Sequence, residues 1–409
     1  MVKEISSKGV SRREVIKGMS IAAGMGLLGL PVHVGAQAQE PIRIGTLCPL
    51  TGAGGVYGPN MQKIVTVVVD KINSSGGING HPIRLFHEDG QTNPDAAVRG
   101  CRKLIDVNKV IAVLSTWSSA VTLAIAPICI ENKVFNISVS GAAEITDLKD
   151  DDFIFRTQPT GIVQGEACAQ FTKEQGTKKV AFMGLQHPAA KPFLEAYQKK
   201  VTGWGGTLLD SLIYEANKAS YRSEVTRILS HKPELIMILG FQPDCTILVK
   251  ELYKAGFKGK LLGTSYSFNQ KLADDVGEAG EGIYNYGPAP DFGSPAYNVV
   301  EKLLGIKDPD PYVCQSYDHI NLTALALAAG KDYSGTGIKT NLRKISNPPG
   351  AVVHNFEEGM AQLKKGQKIN YDGVSGPCDF DEKGDVIRTQ FLVAQVKKGK
   401  FINMGMIKL

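Results

Sequence analysis

The 409-residue chain lacks most of the patterns that mark metal, redox or nucleic-acid chemistry. Its seven cysteines stand at 48, 101, 129, 168, 245, 314 and 378, with no CxxC pair, which excludes the common zinc and dithiol motifs. His81, His87, His187, His231, His319 and His354 are scattered singly and there is no HExxH, so no metal is expected. Gly263-Thr264-Ser265-Tyr266-Ser267 begins like a nucleophile elbow but ends in Ser where that motif needs Gly. Gly335-Thr336-Gly337-Ile338-Lys339-Thr340 lacks the spacing of a phosphate-cradling loop. No catalysis and no cofactor are therefore expected. Charge is also scarce: the net charge is +6, and residues 1–38 hold five bases against two acids, so half of it belongs to that segment. A balance this mild gives no reason to expect nucleic acid or a membrane surface as a partner.

What is present is ordinary globular composition, 43% hydrophobic and 21% charged, in a chain long enough for two packed domains. The N-terminus reads as an export signal. Ser11-Arg12-Arg13-Glu14-Val15-Ile16-Lys17 precedes an apolar run from Ile21 to Val32 and the small-x-small site Ala36-Gln37-Ala38. That run is shorter than the ~20 apolar residues of a spanning helix, so cleavage near Ala38 is expected rather than a retained anchor. The adjacent arginines resemble a twin-arginine export motif, with Val15 and Ile16 where Phe and Leu are more usual. The cysteines read by default as buried thiols, and a Cys101–Cys129 disulfide stays open.

After the signal the chain follows an α/β grammar. Ile42-Arg43-Ile44 reads as a strand, a Gly-rich loop spans Thr51 to Gly58, and Met61, Ile64, Val65, Val68 and Ile72 recur at helical spacing. Ile83–Phe86 is a further strand; Asn93-Pro94-Asp95 then opens a helix with a capping side chain and a proline in the first turn. Val110 to Leu114 is apolar throughout, as expected of a parallel strand covered on both faces. The pattern restarts after Arg156, with strands at Lys179–Gly184, Leu208–Tyr214, Leu235–Gly240 and Leu261–Gly263 and helices at 189–203, 221–231 and 244–255. The fold class expected is α/β, two doubly wound parallel-sheet lobes. Tyr286 to Asp291 breaks the alternation, and the helical stretch with Tyr317, Leu322, Leu325 and Ala329 reads as a return to the first lobe.

In open α/β sheets, ligands bind at the loops that follow the carboxyl ends of strands. Two such loops are small and polar: Ser115-Thr116-Trp117-Ser118-Ser119, leading into a helix from Ala120, and Val139-Ser140-Gly141-Ala142-Ala143. Hydroxyls at a helix start suit a carboxylate or another anion, and they equally suit plain helix capping.

These residues resemble the periplasmic solute-binding proteins of branched-chain amino acid ABC transporters, the Leu/Ile/Val-binding class. The resemblance rests on Ile44-Gly45 with Pro49-Leu50-Thr51-Gly52 and Tyr57-Gly58, Asn73 with Gly76-Gly77-Ile78-Asn79-Gly80, Glu88-Asp89 with Pro94, and Phe155-Arg156-Thr157. It continues in Gly240-Phe241 with Pro243, Gly263, and Gly376-Pro377 leading to Phe380–Asp385. It implies two lobes, 41–157 plus 287–390 and 158–286 plus 391–409, joined near Arg156–Pro159, Tyr286–Pro290 and Gln390–Ala394, that close on a small solute. It implies a periplasmic location, an inner-membrane ABC permease as partner and a monomeric receptor. Carried over by position, Ser118 and Ser119 hold the solute carboxylate, and Ser140 and Gly141 form a second carboxylate loop. Tyr57 and Phe241 supply aromatic contacts, and Tyr317 is a further candidate with an equally good core reading.

The departures from the family bear on the solute. Where amino-acid-binding members carry an acid for the ammonium, this chain has Ser265, beside Tyr266; Asp244, Glu144, Asp318 and Asp291 are the candidate substitutes. A lidding tyrosine is replaced by Ala189, near His187, and Thr92 and Trp117 stand where some relatives have a disulfide. Trp117, Phe241, Tyr57 and Tyr266 suit an apolar pocket. A hydrophobic amino acid is the expected solute; the alternatives are an amine-free aromatic or branched oxo-acid, an amide or urea, and a ligand-sensing role for the same fold.

Overall fold

Short, fully buried apolar strands set the architecture of the computed structural model, which describes residues 39–387 and 390–409. Residues 1–38, read above as an export signal, lie outside the described residues. β1 (Ile42–Cys48), β2 (Ile83–Asp89), β3 (Ala112–Thr116), β4 (Phe135–Ser138) and β5 (Ile154–Arg156) form a parallel sheet in the order β2-β1-β3-β4-β5. Helices α1 (Gly58–Ser74), α2 (Pro94–Arg102) and α3 (Ser119–Glu131) alternate with its strands. α1 buries Met61, Ile64, Val65, Val68 and Ile72, the stripe that its sequence spacing predicts. The predicted cap of α2 is also present: the Asn93 side chain accepts the Ala96 N–H, with Pro94 in the first turn.

After α4 (Gly161–Glu174) a second sheet begins. β6 (Lys179–Leu185), β7 (Thr207–Tyr214), β8 (Leu235–Leu239), β9 (Lys260–Thr264) and β10 (Tyr284–Pro288) run parallel, separated by α5 (Ala190–Gly203), α6 (Arg222–Ser230), α7 (Gln242–Lys254) and α8 (Gln270–Val276). Helices α9 (Pro295–Leu304), α10 (Pro311–Gly330) and α11 (Gly335–Ser346) then pack with α1 and the first sheet in one apolar core. β11 (Ala351–Val353), α12 (Phe356–Leu363), β12 (Ile369–Gly373) and β13 (Gly376–Pro377) add a small third sheet. The hairpin β14 (Gln390–Lys397) and β15 (Lys400–Lys408) joins the second sheet antiparallel to β10. The chain thus passes between the two large sheets three times, after Arg156, after Pro288 and before Gln390. The small sheet and the C-terminal hairpin go beyond the sequence reading; β11 and β13, of three and two residues, are too short to carry a period of their own.

α10 is buried on nearly every side, and its polar residues are tied to the rest of the fold. Asp318 accepts hydrogen bonds from the Tyr371 hydroxyl, the Val374 and Ser375 N–H groups and the Ser375 hydroxyl. His319 bridges the Ser115 hydroxyl (3.2 Å) and the Thr157 hydroxyl (2.8 Å), joining β3 to the first passage between the sheets. Arg156 is fully buried and pairs through Nε with Asp385 at 2.6 Å. All seven cysteines are buried, with the Cys101 and Cys129 sulfurs 3.8 Å apart.

Burial pushes the His319 imidazole down to about 3, from an ordinary value of 6.5. Unfolding therefore takes up a proton between those values, and stability present at pH 7 is lost as the pH falls through that window. The urea midpoint of the wild type is expected to fall more steeply from pH 6.5 to 4 than that of His319→Gln; equal slopes would show that His319 does not drive the loss. Asp385→Asn leaves the Arg156 guanidinium uncompensated and is expected to destabilise by about 3–5 kcal/mol in urea titration at pH 7.

Candidate functional site

The loops after the strands of both sheets converge on one cavity of about 500 Å³, open mouth included. From the first sheet come Trp117, Ser118 and Ser119, after β3, and Val139, Ser140 and Gly141, after β4. Gln158 and Gln164 arrive from the first passage between the sheets and from α4. The second sheet contributes Leu185, His187 and Ala189 after β6, Leu239, Gly240 and Phe241 after β8, and Tyr266 after β9. Tyr312, in the first turn of α10, completes the wall.

Ser118 is the N-cap residue of α3, yet its side chain makes no capping hydrogen bond. Its backbone sits at φ +83°, ψ 129°, a conformation costly for any residue with a Cβ. The hydroxyl is therefore left for the cavity, beside the first N–H groups of α3, which have no partner within the helix. The neighbouring hydroxyls are committed: Ser119 Oγ accepts the Ala142 N–H, and Ser140 Oγ bonds Thr122 Oγ1 at 2.8 Å, which continues to Thr116 Oγ1. Of the two sequence readings of these serines, the anion site fits Ser118, whereas Ser119 and Ser140 brace the loops around it. The buried Arg156 holds this corner from behind, donating to the backbone carbonyls of Ser140 and Ala142.

The apolar wall is aromatic. Trp117 meets Phe241 with ring centroids 5.3 Å apart, so side chains carried by the two sheets touch across the cleft. Trp117 also contacts Tyr266 and Tyr312 edge-on. The Gly-rich loop permits this placement: a Cβ at Gly54 would lie 2.7 Å from the Trp117 ring. Tyr57 does not line the cavity; it packs behind Trp117 and Tyr312 and reaches across the cleft. Its hydroxyl accepts from Asn269 Nδ2 at 2.6 Å and donates to the Tyr266 carbonyl at 3.2 Å.

Ser265 does not line this cavity. The turn after β9 is pinned by Ser267, whose hydroxyl bonds Thr264 Oγ1 and the Gly240 carbonyl. That turn sends Tyr266 inward and places Ser265 in a different cavity, against Gly287. Tyr317 likewise stays in the core, its hydroxyl on the His354 carbonyl; Tyr312, one of the residues the sequence reading missed, takes the place on the wall. Gln158 and Gln164 were missed as well, since nothing in their local pattern signals a ligand. Thr92 caps the Gly-rich loop by accepting the Gly54 N–H.

Among the described residues, no aspartate, glutamate, lysine or arginine lines the cavity. Asp244 is occupied by the Tyr221 hydroxyl and the Asn217 N–H, Asp318 by the β12–β13 segment, and Asp291 by the Gly293 N–H, while Glu144 is exposed. Among the described residues, the titratable groups on the wall are tyrosines and His187, and burial pushes the His187 imidazole down to about 4. At neutral pH the site is thus uncharged: one free hydroxyl, a helix N-terminus and an aromatic box.

Residues 41–400 match the family described as periplasmic binding protein, and the chain belongs to that family. It is 23% identical over 404 residues to a protein of Pseudomonas aeruginosa named amino acid binding protein, covering 96% of this chain and 99% of that one. The fold is similar to that of a leucine binding protein of Thermotoga maritima, with TM-score 0.77 and 23% identity over 90% of this chain and 99% of the other. It is also similar to an R. palustris ABC transporter solute binding protein solved with benzoate, with TM-score 0.74 and 19% identity over 90% and 96% of the two chains.

Replacing Ser118 by Gly removes both the backbone strain and the free hydroxyl. Ser118→Gly is expected to raise the urea midpoint of the ligand-free protein, a gain of about 1 kcal/mol. It is also expected to weaken solute binding at least tenfold; unchanged binding would remove Ser118 from the site.

Proposed function

We propose that this periplasmic binding protein is the exported receptor of an ABC transporter and that its solute is a small aromatic or branched carboxylate without an ammonium group. The observation that carries this reading is the lack of any carboxylate side chain on the cavity wall. An ammonium enclosed there would lose its hydration without an anionic partner, at a cost of several kcal/mol. A carboxylate, by contrast, meets the Ser118 hydroxyl and the start of α3, both suited to negative charge. The flat walls of Trp117, Phe241, Tyr266 and Tyr312 suit a planar apolar body.

In this reading the elements on the two large sheets act as lobes that hinge at the three passages between them. Closure brings Tyr57 onto Asn269 and Tyr266, and the reoriented outer surfaces are what a membrane permease senses. Export with cleavage near Ala38, by the twin-arginine route, and a monomeric receptor complete the proposal. A second reading, a hydrophobic amino acid, is favoured by the names of the P. aeruginosa amino acid binding protein and the T. maritima leucine binding protein, and the same experiment separates the two.

The melting temperature of residues 39–409 would be measured with leucine and phenylalanine, with 4-methyl-2-oxopentanoate and phenylpyruvate, and with benzoate. A ligand at 100 times its Kd stabilises by ~2.7 kcal/mol, which gives a readable shift. The acids are expected to raise the melting temperature while the amino acids do not. A shift with the amino acids alone would establish an ammonium partner and overturn the amine-free assignment.

A further inference from the structure

His187, a residue of the cavity wall, carries a hydrogen-bond donor that the carboxylate site does not use. His187 stands in the loop between β6 and α5, on the second sheet, whereas Ser118 and the start of α3 belong to the first. The Ala189 N–H donates to His187 Nδ1 at 3.3 Å. Because the ring is neutral and Nδ1 is an acceptor, the single ring proton is on Nε2. That Nε2 is shut off from solvent and has no hydrogen-bond partner in the chain. The ring is fixed edge-to-face against Phe241, centroids 5.5 Å apart at 78°. A buried N–H left unpaired is costly, and folded proteins rarely leave one without a use. No group of the chain accepts this proton, and a solute filling the cavity whose wall His187 joins can do so.

We propose that His187 is a specificity-determining residue whose Nε2–H donates to an oxygen carried on the apolar body of the solute, so that the receptor selects ring-oxygenated aromatic acids over their unsubstituted parents. This rests on the amine-free carboxylate reading above and extends it from one polar contact to two. Ser118 and the start of α3 take the carboxylate, and His187 takes a hydroxyl, methoxy or oxo oxygen. The division of labour places one recognition point on each sheet, so a solute with both groups ties the two halves of the molecule together. A neutral donor also suits this task better than a charged one: it rewards an oxygen acceptor without attracting a second carboxylate strongly.

The test is calorimetric titration of residues 39–409 with benzoate and with its 3- and 4-hydroxy and 3- and 4-methoxy derivatives, for the wild type, His187→Phe and His187→Gln. Phe keeps the packing against Phe241 and removes the donor, while the Gln side-chain amide restores an N–H at similar reach. The wild type is expected to bind at least one oxygenated acid about tenfold more tightly than benzoate, the scale of one net hydrogen bond. His187→Phe is expected to abolish that ratio, and His187→Gln to restore most of it. A ratio that survives His187→Phe, or an equal loss for all five acids, would overturn the assignment of His187 and leave the carboxylate reading standing. If the wild type binds benzoate with no preference for oxygenated rings, the assignment is likewise refuted. Failure of the wild type to bind any of the five acids would refute the aromatic-acid reading and this inference together.

Discussion

The Arg156–Asp385 pair is the contact on which the remaining architecture leans. Arg156 ends the last strand of the first sheet, at the start of the first passage toward the second, and Asp385 lies just before the last passage. One buried guanidinium joins these two passages to the 140–146 loop, donating to Asp385, to the Ser140 and Ala142 carbonyls and to the Thr146 hydroxyl. Thr146 in turn donates to the second oxygen of Asp385. A buried ion pair of this kind contributes little net stability over an apolar replacement, and removing one partner is what costs. Its value here is geometric. It fixes the loop that faces Ser118 relative to the strands that would have to bend in closure.

Behind the cavity a second polar chain does similar work with neutral groups. Ser115, His319, Thr157, Gln315 and Gln158 are linked in sequence by hydrogen bonds, from β3 through α10 to the cavity wall. Each member is buried, so each partner satisfied by another removes a desolvation cost and leaves fewer alternative packings. The cavity therefore sits on a rigid polar base, while its aromatic walls come from both sides of the cleft. Rigid support with separable walls is the arrangement that a receptor closing on a solute needs.

The solute follows from charges that are elsewhere. Asp244 and Asp318 are buried acids close in sequence to site residues, but both are consumed as hydrogen-bond acceptors for the backbone and tyrosines around them. Structural use of these acids leaves the cavity neutral, with the α3 N-terminus and Ser118 as its anion-favouring corner. A neutral aromatic box with one such corner discriminates by shape and by the placement of single hydrogen-bond donors, because no strong field is present to override them.

Strand and helix identity was legible in the residues themselves. β8 is an unbroken apolar run and β3 continues the apolar run Val110–Leu114, α1 has a stripe at helical spacing, and α2 begins at a capping Asn followed by Pro; each is a local cause that acts before any tertiary contact forms. The serine and glycine loops after β3 and β4 were legible as site loops for the same reason, since chain polarity puts them at the carboxyl ends of strands. Tertiary structure decided the rest. Tyr312 and Tyr317 lie on one helix about 140° apart around its axis, and only the packing of α10 turns the first to the cavity and the second to the core. Ser265 and Tyr266 are neighbours, and the Ser267 bonds to Thr264 and Gly240 choose which of them faces inward. That Ser118 has a free hydroxyl while Ser119 and Ser140 do not is likewise a matter of partners distant in the chain. The sequence determined which elements form and which loops meet; side-chain direction and the consumption of hydrogen-bonding capacity were decided by long-range packing, which leaves no local pattern to read.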